Sequence, residues 1–184
     1  MELKEGAAFP VQLAERVATT ASHWGEKTLL GRLWHRDSGV WTGRDENRWL
    51  GWLEVPDGNG PIRQRTTAFA ERLVRDGVRQ VALLGMGGSS LFPDMLQQVF
   101  GYQRGIDLRV LDSTDPAQIR SFERRVDLSR TLYIVSSKSG STLEPSILKQ
   151  YFFDRVSQQM GADRVGGRFI AVTDPGSELE QIAE

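Results

Sequence analysis

The sequence predicts an α/β fold: a three-layer, doubly wound parallel sheet with an N-terminal helical arm. Three observations predict it. From Ile62 onward, short apolar runs alternate with stretches of helical period, the pattern of strands covered on both faces by helices. Two glycine- and hydroxyl-rich segments follow directly on two of those runs, where a parallel sheet places its ligand crevice. All five tryptophans fall between Trp24 and Trp52, so the first third differs in kind from the rest.

In the arm, Val11, Leu13, Ala14, Val17 and Ala18 recur at helical spacing between Phe9 and Trp24. A second helical stretch covers Thr28 to Trp34, and Asp37-Ser38-Gly39 and Thr42-Gly43 then punctuate the chain. The tryptophans are expected to serve packing, or, if the arm docks onto a missing half, some of them to stand exposed as an apolar patch that drives self-association. The run Val55-Pro56-Asp57-Gly58-Asn59-Gly60-Pro61 is a break, giving an arm at 1–60 and a main domain at 61–184.

Past the break, Ile62 to Asp76 reads as a helix stopped by Gly77. Gln80 to Leu84 is a strand. Ser89 to Phe100 is a helix, with Ser90 as N-cap and Pro93 in its first turn. Leu108 to Leu111 is the second strand, and Asp115-Pro116 opens the next helix with proline at its first position. Thr131 to Val135 is the third strand and Ser141 to Met160 the longest helix. Arg168 to Val172 is the fourth strand. Ser177 to Glu184 begins an amphipathic helix without a stop signal, so the main domain is expected to be truncated at that end. Arg120, Arg124 and Arg125 read as a solvated helix face.

Bulk properties narrow the function. A formal net charge of -1 recommends neither nucleic acid nor an anionic membrane as partner. No apolar run approaches the roughly 20 residues of a membrane span, and the N-terminus lacks a signal-peptide pattern, so a cytoplasmic protein is expected. The absence of cysteine excludes disulfides and thiolate metal sites, and with only His23 and His35 a His-rich metal site is not expected either.

The chemistry is expected in two loops. Leu84-Gly85-Met86-Gly87-Gly88-Ser89-Ser90 follows the first strand. Its glycines allow close backbone approach to a ligand, and the helix N-terminus after it offers N–H groups to an anion. Val135-Ser136-Ser137-Lys138-Ser139-Gly140-Ser141-Thr142-Leu143-Glu144-Pro145 follows the third strand. A phosphate needs several donors converging on one point; Ser137, Ser139, Ser141 and Thr142 supply hydroxyls, Lys138 charge and Gly140 the bend. Ser141 and Glu144 also have capping-box spacing.

At these residues the sequence resembles the phosphosugar isomerase (SIS) domain family, a flavodoxin-like sandwich, and more closely the N-terminal part of glucose-6-phosphate isomerases. Gly85-Met86-Gly87-Gly88-Ser89 is similar to that family's Gly-Ile-Gly-Gly-Ser loop, and Ser137-Lys138-Ser139-Gly140-Ser141-Thr142 with Glu144 to its phosphate loop. The resemblance covers Arg65 to Glu184. Leu33-Trp34, Val40-Trp41-Thr42 and Leu50-Gly51-Trp52-Leu53 are also similar to the stretch before the isomerase half of bifunctional transaldolase/glucose-6-phosphate isomerases.

The resemblance implies a sugar 6-phosphate held by Ser137, Lys138, Ser139, Ser141 and Thr142, its sugar chain against Gly87, Gly88, Ser89 and Ser90. It implies aldose-ketose isomerisation between glucose 6-phosphate and fructose 6-phosphate, a step of glycolysis and gluconeogenesis, with no metal or redox cofactor. The family's base, ring-opening His and an Arg in a Gly-Gly-Arg-(Phe/Tyr)-Ser motif lie further along its chain. Gly166-Gly167-Arg168-Phe169 imitates that motif, but Ile170 replaces the Ser and the run enters a strand. The isolated chain is therefore expected to bind without turnover, its partners beyond the sugar phosphate being a second copy or a C-terminal half. Two other readings stand beside this one. One is a stand-alone phosphosugar-sensing module. The other is a dinucleotide-binding domain, invited by Gly85-Met86-Gly87 and Asp112 but opposed by Ser90 at the third glycine position. A P-loop is excluded, because no Gly-x-x-x-x-Gly-Lys-(Ser/Thr) run exists.

Overall fold

The computed structural model describes residues 10–55, 60–101 and 105–184. The chain separates into two units, Met1–Gln64 and Arg65–Glu184. Phe9, where the first helix was expected to start, and Pro56 to Asn59 of the expected break lie outside the described residues.

The first unit holds α1 (Val11–Glu26) and α2 (Leu29–Trp34), then single 3-10 turns at Ser38–Val40, Glu46–Trp49 and Gly51–Glu54. Asp37 caps the first of these turns by accepting from the Gly39 N–H at 2.8 Å. The Arg32 guanidinium, 2.7 Å away, and the Gly39 N–H hold the Asp37 carboxyl below the usual carboxylate range. Leu29, Leu50 and Leu53 are buried, whereas Trp34, Trp41, Trp49 and Trp52 are exposed. Of the two expectations, exposure as an apolar patch is the one those four match within this chain. Turns of three or four residues bury one leucine each at most and present no continuous face to cover an indole.

The second unit takes in most of α3 (Gly60–Arg75), which starts just ahead of it. There follow β1 (Gln80–Gly85), α4 (Gly88–Phe100), β2 (Asp107–Leu111), α5 (Pro116–Glu123), β3 (Thr131–Ser136), α6 (Leu143–Met160), α7 (Ala162–Val165), β4 (Phe169–Val172) and α8 (Glu178–Ala183). Local chemistry sets the ends. After α3 the Val78 N–H bonds to the Leu73 carbonyl and the Gly77 N–H to that of Val74, with Gly77 at φ 80°. This is a Schellman stop, and Val78 and Leu73 make its apolar contact. Asp115 caps α5, its carboxylate accepting from the Ala117 and Gln118 N–H groups at 2.7 and 3.0 Å ahead of Pro116. Arg168 falls in a 3-10 turn, one residue short of the fourth strand, so the Gly166 to Phe169 run leads into β4 as a turn.

The four strands are parallel, in the order β2-β1-β3-β4. Alternation along each strand divides the core. Ala82, Leu84, Tyr133 and Val135 face Phe122 of α5, Leu148, Phe152 and Val156 of α6 and Leu179 of α8. Val81 and Leu132 face the other way, against Phe69 and Leu73 of α3. Phe92 and Leu96 of α4 line a groove over Leu108 on that second face. Helices on both faces of one parallel sheet make the doubly wound, three-layer fold that the alternating pattern predicts.

An aromatic stack closes the larger core: Tyr133 lies 4.8 Å from Phe169 and 5.4 Å from Phe152, and Phe122 meets Phe152 edge-on at 5.4 Å. Burial pushes the Tyr133 phenol above its usual range, and its hydroxyl donates to the Leu128 carbonyl at 3.4 Å. Phe152 is fully buried. Truncating it removes three ring contacts, to Phe122, Tyr133 and Tyr151, and leaves a cavity. Phe152→Ala is expected to cost about 3–5 kcal/mol in urea unfolding, with an unchanged m-value.

Candidate functional site

Registration of the strands brings the loops together. Gly85 at the end of β1 pairs with Ser136 at the end of β3, and Ser136 in turn pairs with Val172 at the end of β4. Three loops therefore leave neighbouring strands at one edge, about 5 Å from strand to strand. Chain order reverses between β1 and β3, with β2 on one side and β4 on the other. That is the switch point at which an open parallel sheet forms its crevice.

The β1 loop is shaped by glycine. A Cβ on Gly85 would stand 3.2 Å from both the Ser136 carbonyl oxygen and the Ser89 Cβ, so glycine lets the start of α4 sit close against β3. Gly87 is at φ 57°, ψ −127°, a region essentially reserved for glycine, and is the N-cap of α4. The expected cap, Ser90, lies one turn further in. It is buried, and its hydroxyl donates back to the Gly87 carbonyl at 3.0 Å. The positive φ of Gly87 turns the chain into the helix three residues earlier than a serine signal suggests. Pro93 consequently falls in the second turn, where it deprives the Ser89 carbonyl of its i+4 donor. Gly87 and Gly88 are exposed, and no atom lies within 4 Å of a Cβ built on either, so this side of the loop is open.

The β3 loop gathers the hydroxyls. Ser137 is buried, and its Oγ donates to the Thr142 Oγ1 at 3.1 Å across the loop, leaving the Thr142 proton for another acceptor. Ser139 and Ser141 hydroxyls are 2.9 Å apart, and the Ser139 Oγ also accepts from the Ser141 N–H. Gly140 takes the bend at φ 72°. Lys138 is exposed on the same loop. The capping box does not form: Thr142 is the N-cap of α6, and its side chain makes no bond to the first-turn N–H groups. The Ser141 hydroxyl pairs with that of Ser139 instead. The third helical residue is Pro145, which has no N–H to satisfy. The Leu143 and Glu144 N–H groups thus stand at the positive end of an 18-residue helix, beside four hydroxyls. That donor set suits an anion with several oxygens.

The β4 loop, which sequence reasoning missed, braces the β3 loop. The Ser137 N–H bonds to the Val172 carbonyl at 3.0 Å, and the Asp174 N–H to the Lys138 carbonyl at 3.0 Å, continuing the β3–β4 ladder past the strands. The Thr173 hydroxyl donates to the same Lys138 carbonyl at 3.3 Å and lies 2.8 Å from the Ser177 hydroxyl. The signal for this loop was its position, directly after the fourth apolar run and hence at the same sheet edge.

Fold and loops together define a doubly wound α/β domain with its glycine and hydroxyl loops at the carboxyl edge of the sheet. The family model described as phosphoglucose isomerase matches residues 68–183, and the chain belongs to that family. It is 32% identical over 127 residues to a glucose-6-phosphate isomerase of Thermus thermophilus, covering 68% of this chain and 29% of that protein. It is 37% identical over 143 residues to the enzyme of the same name from Chlamydia muridarum, covering 72% and 26%. The chain thus spans between a quarter and a third of the length of these relatives. Among solved structures, a hypothetical protein from Thermus thermophilus superposes with a TM-score of 0.69 at 27% identity, over 90% of this chain and 38% of that one. A glucose-6-phosphate isomerase from Chlamydia trachomatis superposes with a TM-score of 0.55 at 27% identity, over 64% and 23%.

Gly140 offers a direct check on the loop packing. A Cβ there would lie 2.8 Å from the Ser177 Cβ and 3.0 Å from the Leu179 nitrogen, on a backbone already at positive φ. Gly140→Ala is expected to lower stability by about 1–3 kcal/mol in chemical unfolding, against less than about 0.5 kcal/mol for an exposed position such as Gln150→Ala.

Proposed function

We infer that the second unit is the phosphosugar-binding, SIS-type half of a glucose-6-phosphate isomerase-like enzyme. The observation that carries this is the pair of loops at the β1/β3 switch point, one glycine-lined and open, the other a ring of hydroxyls on the uncapped N-terminus of α6. In this reading the hydroxyls of Ser137, Ser139, Ser141 and Thr142 and the first-turn N–H groups of α6 hold the phosphate, with Lys138 adding positive charge. Gly87, Gly88 and Ser89 lie along the sugar, and Ser90 holds their turn from beneath.

The substrate pair is glucose 6-phosphate and fructose 6-phosphate, interconverted in glycolysis and gluconeogenesis. The reaction moves a proton between C1 and C2 through an enediol, which needs a base within hydrogen-bond reach of those carbons. Neither histidine of the chain belongs to the second unit; His23 lies in α1 and His35 follows α2. The isolated chain accordingly binds the sugar phosphate without turning it over. Base, ring-opening His and Arg come from the remainder of a full-length enzyme in the cytoplasm. No described helix is long and apolar enough to cross a membrane.

Calorimetric titration of the chain with fructose 6-phosphate, with fructose as control, tests this reading. Heat is expected with the phosphate ester alone, and Ser137→Ala/Thr142→Ala is expected to abolish it. Equal heats for the two sugars would count against a phosphate site. Helix dipole and hydroxyl donors favour the dianion over the monoanion, and a phosphate monoester loses its second proton near pH 6. Affinity should therefore rise between about pH 5 and 7 and level off above, readable from the same titration at stepped pH.

A further inference from the structure

The hydroxyls of the β4 loop form a chain whose direction can be worked out. The Ser177 Oγ accepts from the Glu180 N–H at 3.1 Å, as N-cap of α8. The Ser177 and Thr173 hydroxyls, 2.8 Å apart, share one proton between them. The Lys138 carbonyl has no proton to give, so Thr173 donates to it. The Thr173 proton being spent there, the shared proton belongs to Ser177. The chain runs from the Glu180 N–H through Ser177 and Thr173 to the Lys138 carbonyl, each hydroxyl donating once. Ser177 also presents its Cβ and Oγ to Gly140, leaving no room there for a side chain. One residue pair thus grips the β3 loop at Lys138 and at its bend, from a position 35 or more residues along the chain.

We propose that Thr173 and Ser177 are positioning residues that set the conformation of the Ser137–Thr142 loop and thereby its affinity for phosphate. The proposal rests on the phosphate reading of that loop for its second half only. Thr173→Val keeps the shape of the side chain and removes the proton; it takes one donor from the Lys138 carbonyl, which keeps the Asp174 N–H, and takes from the Ser177 hydroxyl its acceptor. Thr173→Ser keeps both bonds.

The test uses the full chain, labelled with ¹⁵N, with inorganic phosphate as probe. In the phosphate-free protein, Thr173→Val is expected to shift the Lys138 to Gly140 amide signals, with Thr173→Ser close to wild type. On titration with phosphate, Thr173→Val is expected to weaken binding about fivefold, the loss of one to two ordinary hydrogen bonds' worth of loop order. Thr173→Ser is expected to restore it. Rescue by serine separates a hydroxyl-dependent role from a packing role, which valine would fulfil. Unmoved loop amides in Thr173→Val, with wild-type phosphate binding, would overturn the proposal. Shifted amides in a protein whose wild type binds no phosphate would support the coupling of the two loops and overturn the phosphate reading instead.

Discussion

The in-register pairing of β1 with β3 is the constraint on which the site depends. Gly85 opposite Ser136 ends both strands at the same level, so the glycine loop and the hydroxyl loop start side by side. The pairing in turn depends on small size at its last position. Gly85 admits the Ser136 carbonyl and the first turn of α4 together, and any side chain there would force them apart. Below that level the strands are held by core packing on both faces, with Tyr133 and Phe152 at the centre of the larger one. The crevice thus stands directly above the packed core on both faces of the sheet.

That arrangement separates the sugar-phosphate reading from the dinucleotide reading. A dinucleotide fold places its pyrophosphate on the helix after β1, with a third glycine for close packing. Here the corresponding position is Ser90, buried and bonded to Gly87, and Asp112 after β2 is exposed. Neither α4 nor α6 has a side-chain cap at its N-terminus, but the cluster of hydroxyls stands at α6 after β3.

Much of the fold was legible because its signals are local. Alternation of short apolar runs with helical stretches placed every strand to within a residue, and Gly77 and Asp115-Pro116 marked their helix boundaries through backbone chemistry that sequence shows directly. The misreadings have a common physical origin in competition between neighbours. Ser90 and Ser141 both carry cap chemistry, yet the positive-φ Gly87 in one loop and Thr142 in the other hold the N-cap position, and the Ser141 hydroxyl pairs with Ser139 instead. Trp41, Trp49 and Trp52 lie exposed in or beside short 3-10 turns, which supply no continuous packing face, and Trp34 is exposed at the end of α2. Both loops of the site were legible from glycine and hydroxyl density after a strand. The brace from Thr173 and Ser177 was not, because it depends on contacts far apart in sequence that exist only once β4 is paired with β3.

The most direct test of the central claim is a crystal structure of the chain with fructose 6-phosphate bound. The phosphate is expected at the N-terminus of α6, with its oxygens about 2.6–3.1 Å from the Ser139 and Thr142 hydroxyls and the Leu143 and Glu144 nitrogens, and the sugar directed toward Gly87 and Gly88. A phosphate held elsewhere, such as the polar groove between α4 and α5 lined by Arg109 and Arg125, would contradict it.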